Sequence, residues 1–217
     1  MFKMLVCALV GLVAFAMIAS AQRPQPCETP VQWEGNLLQS APKKMNKTIL
    51  AKMSYDAVNE RVHIIDEDSR SGKLPSFEYI MLFRERRVYR ITYNDKDEKI
   101  CTAYRFYKPF RPATIPKNYY YATEEYIGSS LPGAGVLVKV FYGEYERRGR
   151  SGGYGISVTT EGCIPVQSWV YTEDYGVINF SFYNVVVGIE DPAMFIPPSN
   201  CRQGGSLKHD DLIHTMY

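Results

Sequence analysis

The chain has 217 residues, 22% of them charged, and a formal net charge of +2 at neutral pH. That near-balance excludes a protein built to hold nucleic acid, because phosphate binding needs a clear basic excess. Hydrophobic residues make up 46%, with seventeen tyrosines and ten phenylalanines, enough to build one sizeable core.

The first residues set the expected compartment. Lys3 is followed by an uncharged apolar run over residues 4–18 and by Ala19-Ser20-Ala21, the small-x-small pattern that signal peptidase cuts. The run is short of the roughly 20 apolar residues a spanning helix needs. Residues 1–21 are expected as a signal peptide, 22–201 as a single β domain, and 202–217 as a loose polar tail. The mature chain carries no further segment apolar enough for a membrane helix. Cys7 leaves with the leader, and Cys27, Cys101, Cys163 and Cys201 remain. An even number in a secreted chain implies two disulfides. Four cysteines allow three pairings, and spacing does not choose among them. Asn46-Lys47-Thr48 and Asn179-Phe180-Ser181 are acceptor sequons for N-glycans, and Asn179 alternates away from Phe180 and Phe182.

Strand patterns follow in series. Residues 48–55 alternate, with Ile49, Ala51, Met53 and Tyr55 on one face, and after a turn 61–66 resumes with Val62 and Ile64. A polar loop over 66–73 leads to 77–83, which is apolar on both faces except at Glu78. Strands are expected over 87–93 and 101–107, before the three prolines of 109–116 end regular structure. Residues 119–127 are ambiguous in pattern and suit a short helix. Residues 136–142 alternate, with Val136, Val138, Val140 and Tyr142 together. The Gly/Arg/Ser stretch 147–155 reads as a loop, and 156–160, 166–172 and 177–187 as strands. Residues 191–195 suit one helical turn before Pro197 and Pro198. The sum is a β-dominated domain of about eight to eleven strands with few short helices.

No catalytic constellation assembles. His63, His209 and His214 have no metal-ligand spacing, no nucleophile elbow exists, and Gly152-Gly153-Tyr154-Gly155 lacks a phosphate-loop pattern. The acid clusters Asp66-Glu67-Asp68, Glu124-Glu125 and Glu173-Asp174 read as solvated loops; calcium is the one ion their oxygens would suit, and none has EF-hand spacing. An enzyme is therefore not expected. The informative feature is apolar character on both faces of 77–83 and 177–187. Such strands must be covered twice, by core on one side and by a sheet, a partner or a ligand on the other.

Several strings together resemble the ependymin-related family: CETPVQWEG at 27–35, YDAVNERVHIID at 55–66, FEYIMLF at 77–83, CIPVQ at 163–167, and VVGIEDPAMFIPPSNC at 186–201. The resemblance implies two antiparallel sheets curved into a half-barrel, similar to bacterial lipoprotein carriers, around a deep apolar pocket. It implies a secreted glycoprotein, extracellular or lysosomal, that forms homodimers and binds a hydrophobic or lipid-like molecule without catalysis or cofactor. The alternative is an extracellular protein of calcium-dependent adhesion. By position it implies bridges Cys27–Cys163 and Cys101–Cys201. A third bridge of many relatives is absent, since Leu74-Pro75-Ser76 stands where one of its cysteines would lie. The expected pocket wall is Tyr79, Met81, Phe83, Val138, Val140, Phe180 and Phe182, an assignment that one residue of register error would invert.

Overall fold

The structure is a computed structural model that describes residues 24–41, 45–66, 77–94, 96, 98–115, 119–147, 150–173 and 176–206. The expected signal peptide lies outside them. The strands, in chain order, are β1 Gln32–Ala41, β2 Met45–Asp56, β3 Arg61–Asp66, β4 Glu78–Leu82, β5 Arg87–Tyr93 and β6 Lys99–Arg105. They continue with β7 Tyr120–Gly128, β8 Gly135–Arg147, β9 Arg150–Thr159, β10 Pro165–Thr172, β11 Gly176–Val187 and β12 Arg202–Ser206.

These strands form one open curved sheet, ordered β12-β6-β5-β4-β3-β2-β1-β11-β10-β9-β8-β7. The mainly β class is as expected, but the two expected sheets are continuous. The strand that joins them is β1, which pairs antiparallel with β2 on one side and with β11 on the other. Nothing in its sequence announces it loudly. Trp33, Gly35, Leu37 and Gln39 alternate on one face, yet glycine and glutamine hide the apolar rhythm. Only β12 runs parallel to its neighbour, β6.

Chain topology forces the curvature. The chain meanders from β1 to β6, near one edge, and re-enters at β7 on the opposite edge. Ten strand spacings at about 4.8 Å make a path of about 48 Å along the sheet. The fourteen connecting residues reach about 46–50 Å only when fully extended. The connection therefore crosses one face as a strap, and the sheet bends toward it. Prolines suit a strap, which has no ladder partner for its N–H groups. Phe106, Ala113 and Ile115 of the strap are buried. Tyr55 accepts a hydrogen bond from the Ala113 N–H at 2.8 Å, and the Thr29 hydroxyl donates to the Ala113 carbonyl.

The strapped, inner face carries most of the core. Trp33, Leu37, Met53, Tyr55, Ile64, Tyr79, Met81, Val88, Ile178, Phe180 and Phe182 form one cluster with Phe106 and Ala113. Ile115, Phe141, Ile156, Val158 and Cys163 form a second. On the outer face Ile80, Leu82, Ile91 and Cys101 pack with Tyr89 and Cys201. β4 is thus covered twice, as its apolar sequence requires. Its outer cover is the segment after β11, where a 3₁₀ turn over Pro192–Phe195 is capped by Asp191. Phe195 of that turn meets the His63 ring edge-on and lies under the Arg61 guanidinium.

Four expectations change. The segment that suited a helix is β7, an edge strand whose Tyr, Thr and Ile content favours extended chain. The Gly/Arg/Ser loop is mostly β9. Its glycines make room for a ring: a Cβ at Gly155 would run into the Trp169 indole, and one at Gly153 would sit 3.4 Å from the same ring. The tail begins ordered, because the Cys101–Cys201 bridge delivers β12 to the edge of β6; residues 207–217 lie outside those described. Residues 32–41, left without a strand, are β1.

Candidate functional site

Register rows show which side chains share the inner face, because directly paired residues point the same way. One row runs Tyr121, Phe141, Ile156, Ser168, Phe180, Gln39, Ile49, from β7 to β2. Another runs Val187, Trp33, Tyr55, Val62, Met81, Val88, Tyr104, from β11 to β6. Rings knit the second row to the strap. Trp33 stacks on Tyr55 with centroids 5.4 Å apart and meets Phe182 edge-on at 5.4 Å. Tyr55 stacks on Phe110, and Phe83 meets both Phe106 and Phe110. At the strap's entry an open depression of about 440 Å³ is lined by Glu60, Phe83, Arg86, Tyr107, Lys108, Pro109 and Phe110.

Five of the seven expected wall residues come together here. Tyr79, Met81, Phe180 and Phe182 are buried in the larger inner cluster, and Phe83 packs against it half-buried. Of the seven, Phe83 alone lines the depression. Val138 and Val140 do not belong with them. The β8–β9 register is unbroken from Val138 to Phe141, and Phe141 faces inward, so the two valines face outward. Strict alternation of valines had suggested the opposite, but the aromatic that follows them decides the face.

Two polar side chains of the inner face were not anticipated. Gln39 is fully buried, and neither its amide oxygen nor its amide nitrogen has a hydrogen-bond partner. The buried Trp33 indole N–H is also unpartnered. Orphaned groups of this kind cost about 1–3 kcal/mol each. All three such atoms among the described residues belong to one face of β1.

Among the described residues the two buried carboxylates, Asp56 and Glu78, are paired for architecture. Asp56, fully buried, accepts from Gln32 Nε2, from Asn59 N and Nδ2, and from Arg61 Nε at 2.7 Å. Burial is the largest single influence and opposes its ionisation. The donated bonds together outweigh it and hold the carboxyl below its ordinary range. On the outer face, the bond from His63 Nε2 lowers the Glu78 carboxyl first of all; burial works against this, and Lys99 at 3.3 Å adds to it. Burial raises the Tyr55 hydroxyl, against the lowering effect of the Ala113 N–H.

Cys27 is bonded to Cys163, with Cα atoms 6.0 Å apart, and Cys101 to Cys201, at 4.5 Å. The first bridge holds the N-terminal segment against the inner face, and the second holds the C-terminal cover against the outer face. Asn179 is half-buried on β11. The backbone of Asn46 is in β2, and its side chain lies outside those described. Of the acid clusters, Glu124 and Glu125 are exposed on β7; Glu67, Asp68 and Asp174 lie outside the described residues. Among the described residues no group of three or more His, Cys, Asp or Glu side chains is placed to hold a metal ion, and no helix is long and apolar enough to cross a membrane.

The family model for Ependymin matches residues 71–201, from before β4 to the second disulfide. The chain belongs to the ependymin family. It is 31% identical over 196 residues to mammalian ependymin-related protein 1 of Rattus norvegicus, a match that covers 88% of this chain and 83% of the relative. It is 26% identical to ependymin of Clupea harengus, covering 89% and 91% of the two chains. Among solved structures, an uncharacterized conserved protein from Thermus thermophilus aligns at a TM-score of 0.48 and 11% identity, covering 82% of this chain and 91% of that one. The family match takes in β4 to β11. The relatives' coverage extends the likeness to β1 through β3, whose inner-face residues complete the apolar surface.

Proposed function

We propose that this ependymin-family protein is a secreted, glycosylated, non-enzymatic binder of a hydrophobic or lipid-like molecule. The ligand is taken on the inner face beneath the strap. One observation carries this reading: a single open sheet presents two adjoining aromatic-rich clusters on one face, bridged by a proline-bearing segment and not by a second sheet. A strap is fastened by a few contacts, so it can lift where a packed sheet could not. An apolar face with a few placed polar groups is the usual make-up of a small-molecule site. The two disulfides support an oxidising destination, extracellular or lysosomal.

Pairing as a homodimer belongs to the same proposal. The β7–β8 edge exposes Tyr120, Tyr126, Ile127, Val136 and Tyr142, and an open apolar edge is usually covered.

The test is to secrete the protein from a eukaryotic host, record its native mass, and extract it with solvent. A lipid-like adduct that extracts at about one per subunit, or saturable uptake of an apolar fluorophore by stripped protein, is the expected result. Protein that carries no extractable ligand and takes up no fluorophore would end the proposal.

A further inference from the structure

We propose that the outer face of β9 to β11 is covered by the chain's own N-glycan, carried on Asn179 and seated by its first two sugars on the Trp169 indole. The inference rests on the secretion and glycosylation proposed above, and it concerns the face opposite the binding surface. In Asn179-Phe180-Ser181 the middle residue is buried in the inner cluster, so the acceptor amide and the serine hydroxyl of the sequon both project outward. The Asn179 Nδ2 atom displaces pyrophosphate from C1 of a lipid-linked oligosaccharide. A C–N bond forms, the C1–O bond breaks, and one amide proton leaves with the lipid pyrophosphate.

The register places a sugar platform beside this acceptor. Asn179 is paired directly with Trp169 on β10, and Trp169 with Gly155 on β9. The indole lies along β9 over Gly155 and Gly153, where no side chain lifts it off the backbone, and it is half-buried. β9 is two strands from β11, about 10 Å, within reach of the two N-acetylglucosamines that begin an N-glycan. The ring hydrogens of such a sugar carry partial positive charge and suit the negative face of an indole. The next row, Ser157, Gln167 and Ser181, is polar and can meet the sugar hydroxyls. The face needs a cover. Tyr171 and Val177 are exposed on it, and among the described elements the 3₁₀ turn packs only on β3 and β4. A glycan rooted in the middle of this face fills it and keeps a protein partner off.

The experiment uses full-length protein secreted from a eukaryotic host. Glycopeptide mass mapping should find Asn179 occupied. The chain has two tryptophans, and Trp33 is fully buried, so acrylamide quenching reads Trp169. Quenching should reach neither tryptophan in wild type and Trp169 alone in Ser181→Ala. Asn179→Gln, or enzymatic deglycosylation of the folded protein, repeats the measurement should that variant not be secreted. Loss of the sequon should lower Tm by about 1–6 °C, the weight of one stacked aromatic contact, and should leave Tm unchanged in a Trp169→Ala background. Equal quenching with and without the glycan overturns the inference. A bare Asn179 overturns it too, and a shielded Trp169 in such protein at dimer mass would give this face to a second copy of the chain. If Asn46 is occupied and Asn179 bare, only this inference falls; if both are bare, the glycosylation proposed above falls with it.

Discussion

Asp56→Asn isolates the contribution of a buried carboxylate to the joint between β1, β2 and β3. The substitution keeps shape and volume. Oδ1, which accepts from Gln32 Nε2 and the Asn59 N–H, survives as the amide oxygen. Oδ2 becomes an NH₂ facing two donors, Asn59 Nδ2 at 2.8 Å and Arg61 Nε at 2.7 Å. Turning the amide over only moves the conflict to the other pair. One charge-assisted bond, worth about 1.5–3 kcal/mol, and one neutral bond of about 1 kcal/mol are lost, so the variant should be less stable by about 3 kcal/mol. In a domain of this size each kcal/mol moves Tm by about 2–4 °C, which gives a fall of about 6–12 °C in a thermal scan with disulfides intact. The pH profile separates charge from packing. The Asp56 carboxyl is lowered in the fold, so its stabilisation is complete above the unfolded value near 3.9 and disappears as pH falls through the folded value. The gap between wild type and variant should hold from about pH 8 to pH 5 and close only below about pH 4. A Tm change under about 2 °C at pH 7, or a gap that closes between pH 7 and 5, would refute this account of the joint.

Three further outcomes are expected. Replacing both cysteines of either bridge by serine should cost about 5 kcal/mol, because the closed loops, 136 and 100 residues apart in sequence, are both long; chemical denaturation of each pair variant checks it, and a loss under about 1 kcal/mol for either would contradict the loop-closure reasoning. Gly155→Ala drives a methyl into the Trp169 indole and should cost about 1–3 kcal/mol. Adding Trp169→Ala should cancel most of that penalty, and strict additivity of the two would show that the ring is not what Gly155 accommodates. Tyr55→Phe leaves the buried Ala113 N–H without its acceptor, which should cost about 1–3 kcal/mol and speed amide exchange in the strap around residue 113 more than in β2.

The sequence made the meander legible and the closure illegible. Period-two runs such as Met53-Ser54-Tyr55 and the turns flanking β3 and β5 are local signals, and the strands lie where they place them. β1 escaped because two of its four inward positions are Gly35 and Gln39: one makes room for β11, where a Cβ would meet Val185, and the other is an uncompensated amide. The continuity of the sheet depends on β1 and so was unreadable too. β9 escaped because its glycines are partners of rings far along the chain, and glycine read alone signals a loop. Val138 and Val140 show the same limit within a strand that was found. Alternation establishes that they share a face but not which face, and Phe141 settles it through contacts with Ile156, Val158 and the strap.

The polar groups on β1 connect these failures to function. A sequence that only needed to fold could fill position 39 with leucine or valine, gaining apolar burial and removing two orphaned hydrogen-bonding atoms. Every neighbour in its row except Ser168 is an aliphatic or aromatic residue that would accept the change. Gln39 therefore works against the fold's own stability in the unliganded state, and Gln39→Leu should raise Tm by about 2–12 °C, the gain from removing an unsatisfied buried amide of about 1–3 kcal/mol. Stabilisation by a residue's removal separates a site residue from a packing residue. Removal of a packing residue would lower stability. Scanning calorimetry of the stripped variant beside wild type distinguishes the two, and a fall in Tm would mean that the amide is satisfied in solution and that the inner face is simply core.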